Sequence, residues 1–179
     1  VRGTGAYQDV ARAAEAAGVP WRVVRRGERW RLDGVEFLVL HPAAAPGGGA
    51  ATGTPPEPND LSVVLLVRWG EFDALLTGDG SVEVEASYLP LLGPVEVLKV
   101  GHHGSRTSTG DPLLERVRPQ LSAISVGRAN RFGHPAPEVL ARLQRAGGRI
   151  VRTDRDGRIT LRARRDGSFT VVTERAGSD

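Results

Sequence analysis

Residues 95–126 read VEVLKVGHHGSRTSTGDPLLERVRPQLSAISV, and this stretch decides the fold class. Two apolar runs, Val95–Val100 and Leu121–Val126, predict buried strands. Between them, Pro112–Val117 predicts a short helix, because proline is favoured in the first turn of a helix. The order strand, helix, strand indicates an α/β layered domain with a mixed sheet.

The same alternation continues on both sides of this stretch. Apolar residues at helical spacing predict further helices over Tyr7–Ala17, Val82–Leu92 and Ala136–Ala146. Short apolar or alternating runs predict further strands over Val19–Val24, Val35–Leu40, Leu61–Trp69, Phe72–Leu76, Arg149–Thr153, Arg158–Arg164 and Ser168–Glu174. The turns Arg155-Asp156-Gly157 and Arg165-Asp166-Gly167 have hairpin chemistry. Ala43–Glu57 is rich in alanine, glycine and proline, and we interpret it as a flexible surface loop.

Composition excludes several classes of protein. The chain has 179 residues, of which 40% are hydrophobic and 25% charged, as in ordinary globular domains. It contains no cysteine, which excludes disulfide scaffolds, thiol nucleophiles and thiolate metal sites. No window approaches ~18 consecutive apolar residues, so we expect no transmembrane helix or secretory signal. The sequence also lacks methionine, and we expect it to be a piece of a longer protein.

Basic residues concentrate in the second half of the chain. From Lys99 to Arg165 there are 15 cations and 5 anions, whereas the rest of the chain has 9 cations and 16 anions. Such asymmetry is typical of a surface that meets phosphates. A solvated face of an arginine-rich protein explains it equally well, so charge alone does not decide between the two.

Two adjacent histidines follow the predicted strand Val95–Val100. His102 and His103 are flanked by Gly101 and Gly104. Neutral imidazole is the commonest metal ligand near pH 7. Consecutive side chains on a turn point in different directions, so one histidine can bind a metal while the other meets substrate or supports the site. A purely structural role is the alternative interpretation.

Leu61–Trp69 and Phe72–Leu76 predict a hairpin joined through Gly70. Asp79 follows its second strand and lies between two glycines. Glycines let the backbone turn sharply and leave the carboxylate open at the rim of a sheet, although a plain turn aspartate has the same sequence. Asn59 and Ser62 lie at the start of the first strand of this hairpin, where by themselves they indicate turn chemistry. His41 also follows a strand, and we interpret it as structural.

A glycine-rich loop, SVGRANRFGHP at residues 125–135, ends the predicted strand Leu121–Val126. It carries guanidinium, amide and imidazole groups at Arg128, Asn130, Arg131 and His134. These donors suit an oxyanion or a phosphate. Because successive strand ends meet at one edge of a layered α/β fold, we expect the loop to lie beside the histidines and the aspartate.

The order of these motifs resembles one family. LLTGD at 75–79, LKVGHHGS at 98–105, SVGRANRFGHP at 125–135 and RTDRDG at 152–157 resemble the metallo-β-lactamase-like domain at the C-terminal end of ComEC-type competence proteins. The resemblance covers Val19–Leu161. It implies an αββα sandwich with mixed sheets that holds one or two divalent metals at one edge. It also implies a nuclease in a bacterial DNA-uptake channel, which hydrolyses phosphodiester bonds of the strand that is not imported.

The resemblance also implies roles for individual residues. Asp79 matches the carboxylate that binds the metals and holds the attacking water. His102 matches the last metal-binding histidine, because it follows the strand directly, and His103 is the alternative. His134 is implied as a catalytic acid or base and as a substrate-phosphate group. The other residues implied to meet substrate phosphate are Asn59, Ser62, Ser105, Arg128, Asn130 and Arg131.

The choice of metal follows from Asn59, which lies roughly where many family members have a metal-binding histidine. Asparagine suits oxygen-preferring ions, which favours Mn²⁺ over Zn²⁺. The family's His-x-His/Asp-x-Asp-His cluster does not occur before Asp79 here. We therefore expect residues 1–179 to be a partial single domain, the C-terminal two-thirds of the family's domain, and this fragment to be inactive unless its metal site is complete.

Two other functions remain open at this point. A non-catalytic nucleic-acid-binding module is favoured by the absent ligand cluster, and a metallo-hydrolase of a small ester or lactam shares the same fold. Binding without catalysis is expected to be metal-independent and strongly weakened by salt.

The resemblance implies a location and partners as well. The domain is expected to be a soluble part of an inner-membrane protein, on its extracytoplasmic face, with DNA and the membrane channel portion of the same parent as partners.

A domain that lacks its first strands exposes apolar faces on strands such as Leu61–Val67. At ~25 cal/mol per Å², several hundred Å² cost on the order of 10 kcal/mol. We therefore expect the fragment to form a homodimer.

Overall fold

A computed structural model describes residues 5–20, 22–43 and 57–175 of the chain. Within these residues, the larger sheet contains, in chain order, β1 (Arg29–Leu32), β2 (Val35–His41), β3 (Val64–Trp69), β4 (Phe72–Leu76), β5 (Val97–Lys99), β6 (Leu121–Ile124) and β7 (Arg149–Arg152). A separate hairpin contains β8 (Ile159–Ala163) and β9 (Phe169–Thr173). The helices are α1 (Gly5–Ala16), α2 (Val82–Tyr88), α3 (Asp111–Val117), α4 (Pro137–Ala146) and α5 (Thr153–Asp156).

The larger sheet is mixed, as the sequence predicts. Neighbouring strands are antiparallel from β1 to β4 and parallel from β4 to β7. The carboxyl ends of β4, β5 and β6 therefore lie at one edge of the sheet. Because β3 runs antiparallel to β4, the residues just before β3 reach the same edge. This topology decides which loops can share a site.

Each face of the larger sheet is covered by a different layer. On one face α2, α3 and α4 pack on the strands through buried side chains such as Tyr88, Leu114 and Leu143. On the other face Phe72 belongs to a smaller apolar cluster that includes Phe169 of β9, with the two rings edge to face at 6.0 Å. Neither layer covers the carboxyl edge of the parallel strands, where the connecting loops lie.

One predicted strand near the start of the sheet is wrong, and one observed strand was not predicted. No strand forms in the described part of Val19–Val24, where the side chain of Val23 is 75% exposed and gains nothing from pairing; Trp21 lies outside the described residues. The strand instead begins at Arg29, because Asp33 and Gly34 (φ 49° and 81°) form the tight turn that joins β1 to β2.

The prediction of a hairpin at Arg155-Asp156-Gly157 is also wrong. The segment forms α5, which links β7 in one sheet to β8 in the other. The carboxylate of Asp156 accepts a hydrogen bond of 2.6 Å from the N–H of Arg152, which closes a helical turn. The second predicted hairpin turn, Arg165-Asp166-Gly167, does join β8 to β9.

Three further expectations concern the surface loop, membrane-spanning helices and the homodimer. Residues 44–56 of the predicted surface loop lie outside the described residues. In the described ranges, no helix has the length and apolarity needed to span a bilayer. Val64 and Leu66 of β3 are fully buried, so one face of this strand is not uncovered, contrary to the premise of the dimer argument. The homodimer stays a prediction.

Candidate active site

Four segments meet at the carboxyl edge of the parallel strands. They are the residues just before β3, the turn after β4 that contains Asp79, and two loops after β5 and β6. We name residues 101–110 the histidine loop and residues 127–134 the arginine loop.

Asp79 is held by backbone contacts on both sides. Its N–H donates a hydrogen bond of 3.0 Å to the hydroxyl of Ser62. The preceding carbonyl, of Gly78, accepts a hydrogen bond of 2.9 Å from the N–H of His102. A Cβ on Gly78 (φ 62°) would lie 2.7 Å from the Cβ of Ser62, so this close approach requires glycine. Ser62 thus orients Asp79, and its predicted contact with phosphate stays a prediction.

The turn before β3 is tied to the same edge. The Nε2–H of His41 donates to the carbonyl of Asp60 at 2.8 Å, which is a structural role. A carboxylate oxygen of Asp60 accepts a hydrogen bond of 3.1 Å from the N–H of Ser81. Asn59 is exposed in this turn, and its predicted role toward phosphate or metal stays a prediction.

His103 faces the carboxylate of Asp79. Its Nδ1 lies 2.7 Å from the carbonyl oxygen of Ser125. A carbonyl only accepts, so Nδ1 carries the proton and the lone pair of the neutral ring is on Nε2. That Nε2 is 4.0 Å from a carboxylate oxygen of Asp79. An imidazole anchored through Nδ1–H, with Nε2 free, is the usual arrangement of a metal-binding histidine.

His102 contacts a different partner from His103. Both histidines have left-handed backbone, with φ of 44° and 56°. The ring of His102 packs against the ring of His134, with centroids 5.7 Å apart. The sequence favours His102 because it follows the strand directly, whereas in the structure the carbonyl of Ser125 holds the ring of His103; the metal role of His102 stays a prediction. The structure pairs His103 with Asp79.

His134 lies beside both histidines as a neutral ring. Its Nδ1 is buried and has no hydrogen-bond partner within the described residues. Burial lowers the pKa of His134, repulsion from the guanidinium of Arg106 and from the protonated forms of His102 and His103 lowers it further, and the carboxylate of Asp79 opposes them. A neutral imidazole at the edge of the site can accept a proton, which suits the predicted acid or base role.

The histidine loop is clamped to the rest of the fold. A Cβ on Gly104 (φ 85°) would lie 2.5 Å from the Cβ of Pro135. The N–H of Gly101 donates to the hydroxyl of Thr109 at 3.0 Å. Ser105 is buried, with its hydroxyl 3.1 Å from that of Thr107. Ser105 thus belongs to the support of this loop, and its predicted contact with phosphate stays a prediction.

A buried carboxylate extends this clamp. Glu85 of α2 accepts hydrogen bonds from the N–H groups of Thr109 and Gly110, at 2.5 and 2.9 Å. The guanidinium of Arg142 on α4 donates to the carbonyls of Ser108 and Thr109, at 3.2 and 2.9 Å. The end of the loop is therefore fixed by two helices.

The arginine loop is open by comparison. The exposed Arg131 and the half-buried Asn130 line a cleft of about 680 Å³ together with His103. The side-chain oxygen of Asn130 accepts a hydrogen bond of 2.7 Å from the N–H of Phe132. Arg128 is exposed, with its Nε 3.4 Å from the carbonyl of Asp154. The structure thus brings the predicted phosphate-binding loop next to His103.

Sequence reasoning gave no role to two residues of this region. Lys99, the single lysine among 24 cations, is half-buried at the end of β5 and donates to the carbonyl of Val100 at 2.9 Å. Burial lowers the pKa of Lys99, and the charge of Asp79 opposes this shift. The sequence signal that could have identified Lys99 is that the one lysine of the chain lies three residues before His102. The second residue is Phe132, which is 83% exposed in the arginine loop.

The site offers part of a metal centre. Asp79 contributes a carboxylate and His103 an unprotonated Nε2, 4.0 Å apart, and these donors suit a divalent ion that accepts oxygen and nitrogen. Among the residues that the structure describes, no three histidine or acidic side chains are grouped so that they could hold a metal. The donors present fit two positions of a coordination sphere.

Comparison with known proteins defines the class. No protein-family model matches the sequence. The chain is 36% identical over 151 residues to ComE operon protein 3 of Bacillus subtilis, with 83% of the chain covered. It is 37% identical over 127 residues to Recombination protein 2 of Haemophilus influenzae and 35% identical over 130 residues to Competence protein ComA of Neisseria gonorrhoeae, each with 71% of the chain covered.

These similarities support a competence-protein family for the matched segment. The chain spans 18%, 15% and 18% of the lengths of these three relatives, so it corresponds to a small part of each.

Proposed function

We propose that this chain is a metal-dependent nuclease domain of a DNA-uptake protein, with the αββα metallo-β-lactamase-like fold, which hydrolyses phosphodiester bonds of the strand that is not imported. The observation that carries the proposal is the facing pair of Asp79 and His103 at the edge of the sheet. A cleft beside this pair is lined by Arg131 and Asn130. The names of the relatives support an association with competence.

Asp79 and His103 would hold the divalent ion in this proposal, and Mn²⁺ is preferred over Zn²⁺ because Asn59, an oxygen donor, lies roughly where many family members have a metal-binding histidine. One or two ions are proposed, with His102, whose ring centroid lies 6.5 Å from that of His103, as a further imidazole. When bound, such an ion polarises a phosphodiester and lowers the pKa of a bound water.

The chain's own residues supply the rest of the chemistry. The carboxylate of Asp79 is 40% exposed and can orient a water toward the scissile phosphate. His134 is neutral because its pKa is lowered by burial and neighbouring cations, so it can accept a proton near neutral pH. Arg128 and Arg131 neutralise charge that builds on the phosphate oxygens in the transition state.

Cleavage and metal binding test this proposal together. The intact domain of the parent protein is incubated with end-labelled single- and double-stranded DNA and Mn²⁺, with and without chelator, and Mn²⁺ binding is titrated separately. We expect chelator-sensitive cleavage and a fall of at least about tenfold in both readouts for Asp79→Asn and His103→Gln. Glu115→Gln, at an exposed carboxylate on α3, is the matched control. Absence of chelator-sensitive cleavage contradicts the proposal.

A non-catalytic nucleic-acid-binding module is the second candidate function. It is favoured by the lack, in the described part of the chain, of three grouped metal-binding side chains, and by the exposed Arg128 and Arg131. DNA binding that persists in chelator and weakens steeply with salt, without cleavage, identifies this candidate.

The location and partners belong to the same proposal. We place the domain on the extracytoplasmic face of the inner membrane, beside the channel portion of the same parent protein. Protease digestion of a tagged domain in spheroplasts, compared with intact cells, tests the location. Sedimentation of the chain tests the proposed homodimer.

A further inference from the structure

Phe132 is an exposed aromatic side chain at the mouth of the cleft. Phe132 is 83% exposed, more than any other large hydrophobic residue in the described part of the chain. One side of the ring lies against His134, with centroids 6.0 Å apart and planes 21° apart. His134 in turn packs on His102 at 5.7 Å. The rings thus form a short aromatic row that begins in solvent and ends at the site.

The surroundings of Phe132 are positively charged and open to solvent. The arginine loop contains two arginines and no acidic residue. Phe132 lines the same cleft of about 680 Å³ as Arg131 and His103. Its backbone is fixed by Asn130, which accepts a hydrogen bond from the N–H of Phe132 at 2.7 Å. The ring is therefore presented to solvent by an ordered turn.

We infer that Phe132 is a stacking platform for an unpaired base of single-stranded nucleic acid. Single-strand binding sites combine cations that follow the backbone with aromatic faces on which bases stack. Here Arg131 and Arg128 provide the cations, and Phe132, backed by His134, provides the face. A base stacked on Phe132 brings its phosphate into the cleft that contains His103. Phe132 is a positioning residue in this scheme.

Stacking on Phe132 favours single strands over duplexes and does not depend on the base sequence. Bases in a duplex are stacked on one another, so their faces are closed to Phe132, whereas every unpaired base has an accessible face. The two arginines contact phosphates of either form. Loss of the ring is therefore expected to affect unpaired bases and to leave backbone contacts unchanged.

The inference rests on the proposed function for its substrate but is tested without catalysis. Fluorescence anisotropy measures the binding of labelled oligothymidylate to the full 179-residue chain in the presence of chelator. We expect Phe132→Leu to weaken this binding about tenfold. Phe132→Tyr keeps an aromatic face and is expected to stay within about twofold of the parent chain. Leu91→Ala, at a 50% exposed side chain outside the cleft, is the matched control.

An abasic oligomer of equal length separates stacking from charge. The parent chain and Phe132→Leu are expected to bind it equally, because no base is present to stack. Equal binding of oligothymidylate by the two proteins overturns the inference, and so does an equal loss on the abasic oligomer. If Phe132→Leu behaves as expected but Mn²⁺-dependent cleavage is absent, the stacking role stands and the nuclease proposal fails. Duplex binding reduced as strongly as single-strand binding also overturns the inference.

Discussion

The histidine loop and the arginine loop lie side by side at one edge of the sheet, but they are built in opposite ways. In the histidine loop, Ser108 and Thr109 are fully buried, and Glu85 and Arg142 bind its backbone from two helices. In the arginine loop, the described residues make two short internal contacts, from the N–H of Phe132 to Asn130 and from the N–H of Asn130 to Gly127, and a long contact from Arg128 to Asp154.

This difference suits two tasks. A group that must face a carboxylate at a set distance needs a fixed backbone, and the clamp supplies it for His103. A surface that meets a long, variable polyanion needs exposed cations and rings, and the arginine loop supplies those. We therefore expect substitutions of the residues that support the histidine loop to act through folding, whereas substitutions in the arginine loop act through binding.

Gly104→Ala is expected to give the largest effect. The new Cβ meets Pro135 at 2.5 Å, and φ at this position is 85°. Overpacking and left-handed backbone together are expected to lower the free energy of unfolding by about 3 kcal/mol. Denaturant unfolding measures this. The matched control is Gly127→Ala in the arginine loop, where a Cβ meets nothing within 4 Å. Equal losses for the two variants contradict the comparison.

Glu85→Ala tests the clamp from outside the loop. The carboxylate accepts two backbone hydrogen bonds, from Thr109 and Gly110. Its removal leaves these buried N–H groups without a partner, and we expect a loss of about 2 kcal/mol in the free energy of unfolding. Glu83→Ala changes an exposed residue of the same helix and is expected to change it by less than about 0.5 kcal/mol. If Glu83→Ala lowers the free energy of unfolding as much as Glu85→Ala does, the proposed role of Glu85 in holding the histidine loop is wrong.

The same carboxylate gives the clamp a pH dependence. Burial raises the pKa of Glu85 above its ordinary value of 4.5, against the opposing effect of the two N–H donors and Arg142. The folded chain therefore holds this proton to a higher pH than the unfolded chain does. The stability that Glu85 contributes is full below pH 4.5 and is lost as pH rises through the raised pKa.

Glu85→Gln isolates this contribution. We expect the unfolding free energy of the parent chain to fall relative to that of Glu85→Gln as pH rises through this window, and the difference to be constant above it. Unfolding curves of both proteins at a series of pH values measure the difference. A difference that stays constant, or that moves in the opposite direction, contradicts the assignment of the shift to burial.

Much of the fold was predictable because its signals are local. The apolar runs of β3 to β6 and the helical spacing of α4 each identify one element. The strand that was misplaced near Val23 has a good local pattern but no buried surface, and burial is set by distant partners. The strand that was missed, β1, is carried by the turn at Asp33-Gly34, which is a strong local signal.

The individual residues of the candidate site could be predicted from the sequence, but not which of them face each other. Strand ends identified Asp79, His103 and the arginine loop, because topology brings such ends together. The orientation of His103 depends on the carbonyl of Ser125, which is 22 residues away and carries no side-chain signal. The burial of Ser105 and the exposure of Phe132 follow from the opposite construction of the two loops.

The smallest expected effect on folding belongs to the two arginines of the open loop. Arg128 and Arg131 are exposed, so Arg128→Ala and Arg131→Ala are each expected to change the free energy of unfolding by less than about 0.5 kcal/mol. Their effect is expected in binding, because each cation that contacts a phosphate releases condensed counterions. Each substitution is expected to reduce the slope of log binding constant against log salt by about 1. Anisotropy titrations of DNA at several salt concentrations in chelator measure the slope, and Arg116→Ala, at an exposed arginine on α3, is expected to leave it unchanged. An unchanged slope in both loop variants, or a fall as large in Arg116→Ala, removes the arginine loop from the phosphate contacts.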